Sequence, residues 1–458
     1  MLGILKTTKL HFIGIGGIGM SGIAEVLLDL GYSVSGSDLN SSVTTENLKE
    51  KGAAIYIGHT ASNLIDASLV IYSSAIDQNN PEVIYALQSK IPMIRRAEML
   101  AELMRLKFGI AIAGSHGKTT TTSLIATIFQ EAKKDATHII GGIVRNLGGN
   151  ARKGDGDFLI AEADESDGSF LLLNPIMATV TNIDNDHLDF YGTKEKVVDA
   201  FIEFVNKLPF YGKVALNADD SSSMAIKAHI KRSAVWYGLN PESEDIHYLA
   251  QNIGLSAAGT SFDLFYKKEF VIKIHSNLIG LHNISNALAA ISISHEAGIE
   301  WEDIQTGLEK FQGVGRRLER IYEKDNFLVM DDYGHHPTEI LATISALKNV
   351  DKRPLYVIFE PHRFTRTKSF WNEFKVCFEG TEKLYILPIY SASENSIEGI
   401  CSEALVNEMK KTGKAVEFLP SIDDMKKLVQ SYANSDGIFL TLGAGSISKN
   451  IREMVKVL

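Results

Sequence analysis

Four stretches of this 458-residue chain gather residue types that do chemistry at spacings that suggest a joint purpose. The first, Gly14-Ile15-Gly16-Gly17-Ile18-Gly19, follows an apolar segment and precedes a helix-period one, with Asp38 at the end of the next apolar segment. Glycines suit such a turn because the chain must reverse sharply and let a pyrophosphate approach backbone N–H groups at a helix N-terminus. The expected ligand is a dinucleotide or another diphosphate nucleotide, and the motif alone does not choose between them. The second, Gly114-Ser115-His116-Gly117-Lys118-Thr119-Thr120, is also poised between strand and helix. Here backbone amides can cradle phosphate oxygens, the Lys118 ammonium can reach the β and γ phosphates, and the Thr119 hydroxyl can ligate magnesium. Only Ser115 and His116 separate Gly114 from Gly117-Lys118, fewer than the strict phosphate-loop spacing, yet the order of strand, turn, lysine and threonine still points to ATP.

The third stretch is acidic and comes in two runs. Glu162-Ala163-Asp164-Glu165-Ser166-Asp167 follows the apolar FLIA, and Thr181-Asn182-Ile183-Asp184-Asn185-Asp186-His187 follows MATV. Strand C-termini of a parallel sheet share one edge, so these carboxylates and His187 are expected to face the phosphate loop and to suit magnesium. A solvated acidic loop is the plainer reading of either run taken singly. The fourth set is dispersed: His282, Asn283 and Asn286; Arg316 and Arg317; Asp331-Asp332-Tyr333-Gly334-His335-His336-Pro337; and Pro361-His362-Arg363-Phe364-Thr365-Arg366. Asparagine amides can read an adenine edge, and forked arginine donors suit carboxylate or phosphoryl oxygens. The paired histidines have no cysteine or third ligand at a metal spacing, so no zinc site is read from them.

The elements that must hold these residues alternate in the βαβ rhythm of parallel sheets. Lys9 to Ile13, a helix to Leu30 and Tyr32 to Ser37 open the chain; the rhythm restarts at FGIAIA, before a helix from Lys118 to about Glu131. Between Tyr237 and Lys273, short segments such as SFDLFY and EFVIKI predict antiparallel strands, followed by a helix from about Asn283 to Ala297. FLVMDD, PLYVIFE, KLYILPI and GIFLTLGAG then predict a last α/β region. The predicted fold class is α/β in three domains, at 1–107, 108–315 and 316–458: a Rossmann-like N-terminal domain, a central phosphate-loop ATPase-like domain with an antiparallel edge, and a Rossmann-like C-terminal domain.

Composition agrees with a packed globular chain: 45% apolar, 22% charged and only ten prolines. A net charge of −10 argues against a nucleic-acid partner. Two cysteines make neither a disulfide framework nor a zinc cage, which suits a reducing compartment. With no secretory leader pattern and no apolar run of transmembrane length, a cytoplasmic protein with no membrane partner is expected, working as a monomer or homodimer.

In this order, HFIGIGGIGMSGIAEVLL, GSHGKTTTT, EADESDGSF, TNIDNDHLDFYG, DDYGHHPTE and PHRFTRT closely resemble the amide ligases of peptidoglycan precursor synthesis, in the branch that adds L-alanine. The likeness spans nearly the whole chain. It implies that ATP, with Mg2+, activates the lactyl carboxylate of UDP-N-acetylmuramate as an acyl phosphate that the amine of L-alanine then attacks. It also implies that the first domain holds UDP rather than NAD, through Gly14, Gly16, Gly17, Ile18, Gly19, Asp38, His59, Ser73 and Ser74. Gly114, Ser115, His116, Gly117, Lys118, Thr119 and Thr120 would serve ATP; Thr119, Glu162 and His187 the metal; Asn283 and Asn286 the adenine; Arg317 and Asp332 the rest of the ATP site. Tyr333, His335, Arg363 and Arg366 would form the alanine end, with His335 placed to take the amine proton. Several ligases of the wider family carry a carbamylated lysine about fourteen residues after the metal histidine, where this chain has Phe201, so no carbamate is expected. Rival readings are a ligase that attaches a recycled peptide, an NAD-dependent oxidoreductase, which leaves Lys118 without a task, and a nucleotide-gated regulator that binds ATP without turnover.

Overall fold

The computed structural model describes residues 8–73, 75–242, 245–433 and 435–457. Three sheets organise them. The first comprises β1 (Lys9–Ile13), β2 (Ser33–Asp38), β3 (Ala54–Ile57), β4 (Leu69–Tyr72) and β5 (Met93–Arg95) in the order β3-β2-β1-β4-β5, every pairing parallel. The order reverses beside β1, the switch point at which sheets of this kind open a crevice at their strand C-termini. There the chain enters the glycine turn and then the helix Ile18–Asp29.

The second sheet contains β6 (Phe108–Ala113), β7 (Thr137–Val144), β8 (Gly149–Arg152), β9 (Phe158–Glu162), β10 (Met177–Val180), β11 (Lys213–Asn217), β12 (Ser233–Gly238), β13 (Tyr248–Ser256), β14 (Gly259–Tyr266) and β15 (Glu269–Ser276), ordered β15-β14-β13-β12-β11-β10-β6-β9-β7-β8. β6 lies between β9 and β10, parallel to both. Its residues Gly109 to Ala113 are all buried, as a strand covered on both faces must be. One core cluster includes Phe12, Ile23 and Leu100 of the first domain together with Ala111, Ala161 and Val180 of the second sheet.

The third sheet runs β16-β17-β21-β18-β19-β20, from β16 (Glu319–Lys324), β17 (Phe327–Asp332), β18 (Leu355–Phe359), β19 (Lys383–Ile386), β20 (Val416–Phe418) and β21 (Gly437–Leu442). β17 and β21 are buried throughout, and each such Leu, Ile, Val or Phe contributes about 1.5–3 kcal/mol on leaving water. Phe359 and Leu440 sit in the core on one side of this sheet, Phe327 and Phe439 in that on the other.

Contacts divide the chain into two compact units. One holds residues up to Asn252 with 262–275 and 285–312; the other holds 253–261, 276–284 and 313 onward. No helix among the described residues is long and apolar enough to cross a membrane.

Most predicted strands and the helices Lys118–Glu131 and Leu281–Glu296 form where the pattern indicates. The antiparallel features are distributed differently. β13 pairs parallel with β12 at Tyr237 and Tyr248, so the change of direction comes only beyond it, where two-residue links to β14 and then β15 leave room for nothing but hairpins. Antiparallel partners also occur where none was expected, β8 against β7 and β16 against β17. Both are short or polar edge strands, GNAR and ERIYEK, whose pairing is decided by a buried neighbour rather than by their own apolar content.

Candidate active site

Lys118 begins the helix that follows β6, and the turn before it dictates where its ammonium goes. Gly117 caps that helix at φ 83°, a left-handed conformation that costs any residue with a Cβ. A Cβ there would also lie 2.3 Å from Asn286 Oδ1, and one on Gly114 would lie 2.1 Å from Thr181 Oγ1. Loop 181–184 is laced to the turn: Thr181 Oγ1 donates to His116 O (2.5 Å), His116 N donates to Asn182 Oδ1 (2.9 Å), and Asp184 N donates to Ser115 Oγ (2.9 Å). His116 Nε2 meets Asp184 Oδ2 at 3.0 Å. Thr120 is buried in the first turn of the helix.

The Lys118 Nζ folds back over this turn, donating to Gly114 O (2.6 Å), Ser115 O (3.2 Å) and Glu165 Oε1 (2.8 Å). Burial opposes its charge, but Glu165, Asp164 and Glu162 outweigh burial and raise its pKa. Beside it the Thr119 hydroxyl lies 3.3 Å from Glu162 Oε2, and Gly141 N donates to Glu162 Oε1 at 2.7 Å. His187, itself left-handed at φ 57°, brings Nε2 to 3.5 Å from Glu165 and 3.6 Å from Asp186. Burial lowers its basicity and the Glu165 and Asp186 carboxylates more than restore it. Lys118, Thr119, Glu162 and His187 are thus gathered at one sheet edge with Glu165, whose weight the motif reading did not separate from its acidic neighbours. Phe201 is buried, its ring edge-on to Phe170 at 5.3 Å, so that position is core.

In the first sheet, Gly14 N and Ile15 N donate to Ser37 O, and Gly16 N donates to Asp38 Oδ2 at 2.9 Å. Asp38 therefore holds the glycine turn itself. Gly17 caps the helix that begins at Ile18 and Gly19, and Ile18 O accepts from Asn150 Nδ2 at 2.8 Å. His59 Nδ1 lies 2.9 Å from Ser37 Oγ and 3.0 Å from Glu82 Oε2. Ser73 accepts from Ile76 N in a turn, and Ser74 lies outside the described residues.

Glu82, which sequence reasoning missed, is fully buried beneath this edge. It accepts from Ser37 Oγ (2.5 Å) and Asn63 Nδ2 (2.7 Å), with His11 Nε2 at 3.5 Å. Burial pushes its pKa up, but the bonds from His11, Ser37 and Asn63 prevail and hold the carboxyl below its usual range. Its only signal in the sequence was a carboxylate one residue into a helix that starts Asn80-Pro81. Arg96 was also missed: its Nη2 donates to Asp164 Oδ2 at 3.2 Å.

In the second unit, the ends of β17, β18 and β21 gather a cationic and aromatic group. Asp332 accepts from Leu318 N and Gly334 N, both at 2.7 Å; burial pushes its pKa up to about 6 although Arg317 pulls it down. Arg316 and Arg317 lie over the Tyr333 ring at 4.7 and 5.1 Å. His335 Nδ1 is 3.1 Å from Tyr333 O and 3.4 Å from Glu339, and the His335 ring lies 5.7 Å from that of His362. Burial, then Arg366 and Arg363, push His362 down to about 4, so it is neutral at pH 7. Arg366 Nη1 is 3.4 Å from His362 Nδ1, and Arg363 is held at φ 70° with its N–H donating to Tyr390 O. Such backbone is strained for a residue with a Cβ. Asn283 donates to Ile279 O at 2.9 Å from the same helix that carries Asn286.

Two converging sets therefore exist: lysine with carboxylates for phosphoryl groups, and arginines with histidines and tyrosine for a small anion-bearing ligand. Three family models tile the chain: Mur ligase family, catalytic domain, over residues 9–108; Mur ligase middle domain over 112–294; and Mur ligase, glutamate ligase domain, over 316–445. A relative from Geotalea daltonii, named UDP-N-acetylmuramate–L-alanine ligase, is 49% identical over 99% of this chain and 98% of its own. Another of that name, from Syntrophus aciditrophicus, is 46% identical over 97% of this chain and 92% of its own. The crystal structure of UDP-N-acetylmuramate-alanine ligase from Thermotoga maritima matches with a TM-score of 0.83 at 27% identity over 98% of both chains. A murein peptide ligase from Psychrobacter arcticus shares the fold, at a TM-score of 0.75 and 24% identity over 98% of both chains. On these matches and this geometry, the chain belongs to the Mur ligase family.

Proposed function

We infer that this protein is an ATP-dependent ligase that joins the lactyl carboxylate of UDP-N-acetylmuramate to L-alanine through an acyl phosphate, in peptidoglycan precursor synthesis. The observation that carries the reading is Lys118, held against Glu165 over a glycine turn at the edge of the central sheet, in a chain matched over nearly its full length by relatives named for this reaction. Residues 1–107 are assigned to the sugar nucleotide, 108–315 to ATP and 316–458 to the amino acid. An oxidoreductase reading would leave the lysine turn idle, and a peptide-adding ligase has only a likeness of fold behind it.

The substrate carboxylate attacks the γ-phosphorus of ATP as the bond to the β–γ bridging oxygen breaks and ADP leaves, and negative charge spreads over the transferred oxygens, where Lys118 and Arg317 are assigned to stabilise it. The Thr119 hydroxyl and Glu162 carboxylate, 3.3 Å apart, are hard oxygen donors of the kind Mg2+ selects, and His187 completes the proposed set. Bound there, magnesium would neutralise phosphate charge. Tyr333, Arg363 and Arg366 are assigned to alanine, the arginines to its carboxylate. His335 is assigned to take a proton from the alanine ammonium so that the free amine attacks the acyl phosphate and phosphate leaves. Nucleotide sugars and ATP meet in the cytoplasm, and we assign the protein to it.

Phosphate release, measured with ATP, Mg2+ and UDP-N-acetylmuramate against a panel of amino acids, should be fastest with L-alanine. Release that ignores either the sugar nucleotide or the amino acid would rule the reading out.

A further inference from the structure

Arg96 stands where helix electrostatics disfavours it. It is the first residue of the helix Arg96–Met104, directly after Arg95, and the positive end of a helix dipole repels cations. Only Glu98 in that first turn offsets them, accepting from Arg95 N at 2.7 Å. A local rule broken without local gain marks a residue kept for another purpose. The guanidinium lies over the glycine turn of the first domain. Its Nη1 is 3.1 Å, and its Cδ 3.3 Å, from where a Cβ on Gly19 would stand, so that glycine makes room for it. Its other face reaches Asp164 in the acidic run opposite Lys118, at 3.2 Å. The two side chains are 25% and 40% exposed, and an ion pair that long and that open to water stabilises little and exchanges readily.

We propose that Arg96 is a binding residue for an anionic group of the sugar nucleotide held at the Gly14–Gly19 turn, released from Asp164 when that substrate arrives. The inference rests on the function proposed above and deepens it. The turn supplies backbone N–H groups at the start of the helix Ile18–Asp29, and Arg96 adds a forked cation beside them on the side that faces the ATP-binding acids. Such an arrangement suits either the diphosphate or the lactyl carboxylate on its way to the phosphoryl group.

Calorimetric titration of the full chain with UDP-N-acetylmuramate, with UDP and with ATP tests this. Arg96→Ala should weaken UDP-N-acetylmuramate about 10- to 100-fold, the loss of a charged hydrogen bond, with ATP affinity and Tm unchanged. Arg96→Lys should recover part of the loss, since it keeps the charge without the fork. An equal loss for UDP assigns the contact to the diphosphate, and a loss confined to UDP-N-acetylmuramate assigns it to the carboxylate; both uphold the proposal. Unchanged affinity for UDP-N-acetylmuramate would overturn it, as would equal weakening of both nucleotides with a lowered Tm, which would make Arg96 a strap between domains. Failure of the unaltered protein to bind UDP-N-acetylmuramate would instead sink the functional reading, and this inference with it.

Discussion

At residues 14–19 a buried strand feeds a glycine turn and then the helix Ile18–Asp29; at residues 114–117 another does the same for the helix Lys118–Glu131. Around the first turn, Asp38 is engaged on Gly16 N, with Arg96 alongside. Around the second, Lys118 is surrounded by Glu162, Asp164 and Glu165. The backbone cradle is common to both, so what a glycine turn holds is decided by the side chains that other strands deliver to it. A lysine among several carboxylates suits a triphosphate with its metal, and an arginine held by one exposed ion pair to Asp164 suits a diphosphate sugar.

Lys118→Ala attacks the feature that separates the two turns and should have the largest effect. Its kcat for ADP formation should fall by about 10³-fold or more, because charge on the transferred phosphoryl group loses its cation. Steady-state assays should find KM for UDP-N-acetylmuramate within about threefold of normal, and a change as large as that in kcat would mean that the two pockets are one.

Paired glycine substitutions come next. Gly117→Ala places a Cβ at φ 83° and 2.3 Å from Asn286, whereas at Gly17, with φ −64°, an added Cβ would come no nearer than 3.5 Å to the Gly14 carbonyl oxygen. ATP affinity should drop about 10- to 100-fold for Gly117→Ala, and affinity for the sugar nucleotide should change by less than about threefold for Gly17→Ala. Equal losses would remove the distinction drawn between the turns.

Glu82→Gln keeps the volume under the first turn but replaces a carboxylate oxygen with an amide donor facing Ser37, Asn63, His11 and His59. Urea unfolding should show a loss of about 2–4 kcal/mol. An unchanged midpoint would mean that the buried group carries no charge.

Acid separates the two sheets more gently. On β7 of the central sheet, burial and then Arg152 push the buried His138 down to about 4, so the unfolded chain binds a proton that the folded chain refuses. Its contribution is full above pH 6.5 and is lost as pH falls toward about 4, by up to ~3 kcal/mol. Glu82, with its pKa lowered from 4.5, contributes fully above that value and loses its contribution only as pH falls through the lowered one. His138→Leu should therefore make the fall in stability between pH 6.5 and 4.5 shallower in urea titrations, leaving the share that His362 and His282 contribute and the lower limb in place.

Much is legible in the residues alone. FGIAIA, FLIA and MATV are apolar runs of the kind buried parallel strands require, and the glycine turn after FGIAIA marks where the chain turns into a helix; both are local properties. Because FGIAIA, FLIA and MATV end at the same edge of the central sheet, their shared parallel direction assigns Lys118, Thr119, Glu162 and His187 to that edge. Which carboxylate answers Lys118 is not legible, because Glu165 owes that place to β6 pairing with β9, a register between segments some fifty residues apart. The same holds for Arg96, whose partner Asp164 lies sixty-eight positions away, and for the ionised Glu82, whose polar neighbours His11, Ser37, His59 and Asn63 come from three separate segments. Periodicity and turn chemistry are written in neighbouring residues, whereas burial, charge pairing and the resulting pKa values exist only once distant strands share a sheet.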